Sequence, residues 1–372
     1  MTLLARLRSG LLVYLLAHLV SLSSGSPKAA RRKPQLPLFI DTDIGVDDAV
    51  AIAWLLRQPA ARIIGFSTVF GNISVENATK NLLTLLKIAG ASSIPVTVGA
   101  SEPLALPRTR TGGLAHGPDG LWFAQQPADI SGLPTDAAAT IVAAAQANPG
   151  LTVVALGPLT NIANAVSAAP EAMMTTRIIA LGGGTRGNRT PLAEFNIFAD
   201  PEALAVVLRS GVKLELLTLD AFDQLRVDSE AFPAQLAANG GELGQLLATI
   251  LRPYFQLQTG GASGKASIPD AAAVIYALQP NLATVQSALV QVITDSGPAR
   301  GTTLIGNMLS SRIPLIADDA ELSALADQAF APGFDLNSAL LALLQRQPDN
   351  ARVIMALNGA AMARVLTRGL TS

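Results

Sequence analysis

From residue 36 to residue 219, short and almost unbroken apolar runs alternate with longer stretches of helix length, and this alternation restricts the fold more than any other feature. The strand-length runs are 36–40, 62–69, 94–98, 151–156, 177–181 and 212–219, and the helix-length stretches include 48–58, 75–89, 161–167 and 201–210. Strands that are apolar on both faces belong to parallel sheets buried beneath helices. The expected fold is α/β: a single domain with a mostly parallel central sheet, helices on both faces and a Rossmann-like core. Ligands of such sheets bind beyond the carboxyl ends of the strands. The notable polar residues here all follow apolar runs: Asp41 to Asp48, Gly71-Asn72, the segment 157–161, and Gly182-Gly183-Gly184 with Asn188, Glu194 and Asn196.

The densest of these segments carries Asp41, Asp43, Asp47 and Asp48. Like charges that close need a cation, and oxygen-only ligation selects hard ions such as calcium and magnesium. Capping and dipole compensation account for Asp47 or Asp48 at a helix start, but give no reason for Asp41 and Asp43 at a strand end. An EF-hand does not fit, because Gly45 falls at the fifth loop position and Ile52 at the twelfth, where that loop requires an oxygen ligand and a Glu. A phosphatase with an Asp41-x-Asp43 nucleophile fits the same stretch.

A net charge of -1 with 14% charged residues leaves no electrostatic footprint for a nucleic acid polymer, so the expected partners are small molecules and further copies of the chain, as a homodimer or homotetramer. The absence of Cys removes disulfides, thiolate zinc sites and cysteine nucleophiles. Residues 1–25 have the pattern of a signal peptide: Arg6 and Arg8, an apolar run at 11–22, then small residues. A basic linker at 26–35 precedes the domain at 36–372. The expectation is export to the periplasm or medium without stable membrane insertion, with mitochondrial or cytoplasmic location as alternatives. Loss of the signal removes His18 and leaves His116 as the one imidazole.

The segments DTDIGVDDAVAI at 41–52, FGN at 70–72, HGPDGL at 116–121, LGPLTNIA at 156–163, LGGG at 181–184 and AEFNIFADPEA at 193–203, with GPARGTT at 297–303, resemble the nucleoside hydrolase family, of the inosine-uridine-preferring kind. The resemblance implies hydrolysis of the N-glycosidic bond of ribonucleosides to base and ribose, a place in nucleoside catabolism and purine salvage, a bound Ca2+ and no organic cofactor. It implies that Asp43, Asp48, the Leu156 carbonyl and Asp270 ligate calcium, with Asp43 also the base for the metal-bound water and Asp41 in support. It places Asp47, Asn72, Asn188, Glu194, Asn196 and Asp270 on the sugar.

Breaking a glycosidic bond requires a nucleophile on one face of an oxocarbenium-like sugar and relief of charge on the departing group. Asn and Glu suit sugar hydroxyls, which donate and accept; Asn72 and Asn188 also read as turn residues. Glu194 and Asn196 project to one side if the segment is extended. His116, in a glycine-rich loop that suggests a solvent-reaching side chain, either protonates the leaving base or hydrogen-bonds it. Tyr254 is the better aromatic wall for the base, and Trp122 reads as packing. In many family members a histidine precedes the distal aspartate; here the residue is Pro269, which has no proton to give. That departure leaves a catalytically impaired nucleoside-binding protein as an alternative.

Overall fold

The computed structural model describes residues 35–107, 112–329 and 331–372. The expected signal segment, and all of the expected linker but Gln35, lie outside the described residues.

The central sheet is built from β1 (Leu36–Thr42), β2 (Ala61–Thr68), β3 (Val96–Val98), β4 (Thr152–Ala155), β5 (Arg177–Leu181) and β6 (Lys213–Leu217). Two short strands, β7 (Arg226–Asp228) and β8 (Lys265–Ser267), pair separately. The sheet is completed by β9 (Ala283–Val292), β10 (Thr303–Gly306) and β11 (Ala351–Leu357). The order is β10-β9-β11-β6-β5-β4-β1-β2-β3. All neighbours from β3 to β11 run parallel, and β9 is antiparallel to both β11 and β10.

The apolar runs are continuous because each strand is buried on both faces. Leu38 and Ile40 of β1 join one core with Val154, Ile179 and Leu217, while Phe39 joins the other with Val153, Ala155, Ile178 and Leu216. This is the strand period of two, with successive side chains sent to opposite layers of helices.

The chain runs from β1 outward to β2 and β3, then returns to the other side of β1 for β4, β5 and β6. Such a reversal opens a crevice at the carboxyl ends of the two strands that flank it. Here those ends are Asp41-Thr42-Asp43 after β1 and Leu156 after β4. The stretch 259–267, whose Gly and Ser content suggests a flexible connection, is ordered at its end: Lys265–Ser267 forms β8, paired with β7. Gln258 fixes it by accepting the Ser267 N–H at 2.8 Å.

Candidate active site

Asp41 and Thr42 end β1, and after Asp43, Ile44 and Gly45 the helix Val46–Leu56 begins, with Asp47 and Asp48 in its first turn. Asp48 is locked in place: it accepts from Thr42 Oγ1 at 2.5 Å and from the Gly45 N–H at 2.9 Å. Asp43 accepts the Asn72 N–H at 2.7 Å. Its carboxyl group fits because Gly71 and Gly157 have no side chain; a Cβ at Gly71 would lie 2.1 Å from Asp43 Oδ2. Asp270, second residue of the helix Pro269–Leu278, is brought in by a helix that packs against the helix Val46–Leu56.

Carboxylate oxygens of Asp47, Asp48 and Asp270 lie within 4.8 Å of one another, all buried. Of the expected ligand set, this triple contains Asp48 and Asp270 and adds Asp47. Asp43 stands close enough to raise the Asp270 carboxyl. The Leu156 carbonyl, the expected main-chain ligand, accepts the Asn196 amide at 2.7 Å.

Burial first, and then the neighbouring carboxylates, push Asp43 and Asp270 well above the ordinary carboxylate range. Asp48 is raised by burial and by Asp47, and Asp47 is raised to about 6, chiefly by burial. Asp47 Oδ1 is buried with no hydrogen-bond partner. An all-carboxylate group, mutually repelling and with an orphaned oxygen, fits a hard divalent cation. Asp41 stands apart: it accepts from Ser67 Oγ at 2.5 Å and Asn161 Nδ2 at 2.8 Å, and burial raises it to about 6.

His116 is 7% exposed, so the structure corrects the expectation of a solvent-reaching loop histidine. Its Nδ1 accepts the Val46 N–H at 3.1 Å, at the amino end of the helix Val46–Leu56. The contact is possible because residue 45 is Gly; a Cβ there would lie 2.4 Å from Nδ1. An accepting Nδ1 places the proton on Nε2. Asp47 Oδ1 lies 3.6 Å from Nδ1; burial dominates and lowers the histidine to about 4, against the charge of Asp48, which favours imidazolium. Tyr254 donates to Asp47 Oδ2 at 3.0 Å, and its ring centroid is 5.3 Å from that of His116.

Glu194 and Asn196 reach the site by a different route from the expected extended segment. Glu194 is extended and caps the short helix Phe195–Ala199, accepting the N–H groups of Asn196, Ile197 and Gly183. Burial raises it to about 7. Asn188 accepts the Phe195 N–H at 2.9 Å, so it also acts as a turn residue. Trp122 donates from Nε1 to the Ala115 carbonyl and bolsters the His116 loop.

A cavity of about 270 Å3 joins these parts. Asp47, Asn72, His116, Leu156, Asn188, Glu194, Asn196, Tyr254 and Asp270 all line it, while Asp41, Asp43 and Asp48 are not among its lining residues. Pro269, already singled out in the sequence, joins its apolar side, and the rest of that side, Leu114, Phe195, Phe222 and Leu257, was missed by sequence reading. Of those four, Phe195 alone had a signal, lying between two residues already singled out.

Fold and site together give a crevice at a strand-order reversal, with a buried carboxylate group beside it and mixed polar and aromatic walls, an arrangement suited to a hydrolase acting on a glycosidic bond. Comparison with known proteins agrees: the model of the inosine-uridine preferring nucleoside hydrolases matches residues 38–364. The chain belongs to this family of N-glycosyl hydrolases. It is 37% identical over 280 residues to a probable uridine nucleosidase 2 of Arabidopsis thaliana, covering 73% of this chain and 86% of that one. It is 36% identical over 276 residues to the non-specific ribonucleoside hydrolase RihC of Shigella dysenteriae, covering 73% and 88%. Among solved structures, a plant nucleoside hydrolase, PpNRh1, superposes with a TM-score of 0.74 at 27% identity, over 91% of this chain and 100% of that one.

Proposed function

We propose that the protein hydrolyses ribonucleosides to free base and ribose with a bound Ca2+. The observation that carries this reading is the buried Asp47, Asp48 and Asp270 triple, with its orphaned Asp47 oxygen, two of whose members line a cavity with polar and aromatic walls. Asp43, Asp48, Asp270 and the Leu156 carbonyl would hold the ion. When bound, it supplies positive charge that makes water more acidic and orients a sugar diol.

Asp43 takes the proton of the attacking water, and Asp47, braced by Tyr254, accepts from a ribose hydroxyl. Asn72, Asn188, Glu194 and Asn196 bind the remaining sugar oxygens. The base lies against the apolar side of the cavity, where His116 presents its Nε2–H as a hydrogen-bond donor. The names of the relatives support nucleosides as substrates without choosing between purine and pyrimidine. The phosphatase alternative loses ground because Asp41 lies outside the cavity and is engaged by Ser67 and Asn161.

Incubation with inosine, uridine and p-nitrophenyl phosphate tests the reading: sugar release from a nucleoside, abolished by exhaustive chelation, is expected. Phosphate release, or binding without turnover, would overturn it. Export and homo-oligomerisation remain part of the proposal, tested by N-terminal mass spectrometry from the native host and by light scattering. Among the described residues no helix is long and apolar enough to cross a membrane.

A further inference from the structure

We propose that the groove between the helices Ala231–Asn239 and Gly359–Thr371, beside the β7–β8 pair, binds a small phosphorylated anion through Lys265, Arg364 and Arg368. The groove encloses about 500 Å3 and shares no lining residue with the catalytic cavity. Four cations line it, Arg226, Lys265, Arg364 and Arg368, against the single carboxylate of Asp228.

Arg226 is committed to Asp223, which accepts from its Nη2 at 2.7 and 2.8 Å. Asp228 accepts the N–H groups of Glu230 and Ala231 and attracts Lys265. Among the described residues, no carboxylate lies within ion-pair distance of Arg364 or Arg368. The undescribed residues cannot neutralise them, since 1–34, 108–111 and 330 contain no Asp or Glu. General basicity is no explanation either, for the chain carries a net charge of -1.

Arg364 and Arg368 are one turn apart on the same helix face, where like charges repel. The last turn of a helix favours a cation at Arg368, but that effect fades before Arg364. A phosphoryl group between the two guanidinium forks would relieve the repulsion, and forked donors match its oxygens. Buried Val227 and Phe232 give the groove an apolar floor for a short carbon skeleton. Arg368 lies past the stretch matched by the family, which ends at residue 364.

Glycerol 3-phosphate is the probe, because it carries a phosphomonoester but neither ribose nor base. Titration calorimetry on the full, calcium-loaded chain at low ionic strength should show saturable binding. Binding should weaken by at least about tenfold in Arg364→Gln/Arg368→Gln and stay unchanged in Arg209→Gln, an exposed cation elsewhere. Without ligand, the double variant should melt no lower than the parent, and both variants should retain nucleoside hydrolysis. Absence of saturable binding at millimolar probe, or equal binding by the double variant, overturns the site. Retention on phosphatidylglycerol vesicles without binding of the soluble probe overturns it too, moving the chemistry to a lipid surface.

Discussion

Asp43 accepts one backbone N–H and has Gly71 and Gly157 against its carboxyl group, so a change from carboxylate to amide alters its basicity with little change of shape. Asp43→Asn should lower turnover by about 10² to 10⁴ while elemental analysis still finds the ion. A loss below about tenfold, only about 1.4 kcal/mol of barrier, would remove Asp43 as the base. His116 is a second residue whose role its neighbours define. A helix N–H on Nδ1 selects a neutral imidazole with Nε2–H, a donor rather than an acid. With two histidines in the whole chain, 15N-histidine NMR gives a direct reading of the tautomer, expected to be Nε2–H between about pH 5.5 and 8. His116→Ala should then impair inosine and uridine more than p-nitrophenyl riboside, whose leaving group departs as a stable anion. Equal losses on both substrates would make His116 a positioning residue.

At the scale of elements, the strands from β1 to β6 were legible because burial on both faces leaves unbroken apolar runs, as in Ile178-Ile179-Ala180-Leu181. The β9–β10 edge was not, since the first half of β9, 283–287, mixes half-buried and exposed residues and only 288–290 are buried. Asp41, Asp43, Asp47 and Asp48 could be read because one short stretch of chain carries them, whereas Asp270 was reached only through the family resemblance. The apolar wall could not: Leu114, Phe195, Phe222 and Leu257 meet only after the sheet is assembled. The late segment around Thr303 shows how such distant parts are joined. Thr303 Oγ1 donates to the Gly184 carbonyl at 2.7 Å and accepts the Gly184 N–H at 2.9 Å, clamping the glycine loop beside Glu194. Thr303→Val keeps the shape and strands both backbone groups, so stability should fall by about 1 to 3 kcal/mol in urea unfolding, with KM rising. An unchanged midpoint would show that the clamp is dispensable.

For the whole molecule, acids and bases nearly cancel, 27 against 26, so pH between about 5.5 and 8 alters general charge repulsion little. Local groups then decide how stability responds. Asp41 and Asp47 are raised to about 6 and Glu194 to about 7, each chiefly by burial, and Asp43, Asp48 and Asp270 are raised as well. His116, held down to about 4, gives up one proton on folding below its ordinary value of 6.5. The raised carboxyl groups outnumber it, so folding takes up protons on balance across the interval from the unfolded carboxylate range near pH 4 to these higher values. A native state that binds more protons than the unfolded chain loses stability as pH rises through that interval. The metal-stripped protein should melt lower at pH 8 than at pH 5.5. A cation that binds the folded chain alone adds RT ln(1 + [L]/Kd), and it competes with protons for the same carboxylates. Chelation should therefore depress the melting temperature more at pH 8 than at pH 5.5. Equal depression at both pH values, or a stripped protein that melts higher at pH 8, would show that the carboxylate group neither binds the ion nor titrates as its burial requires.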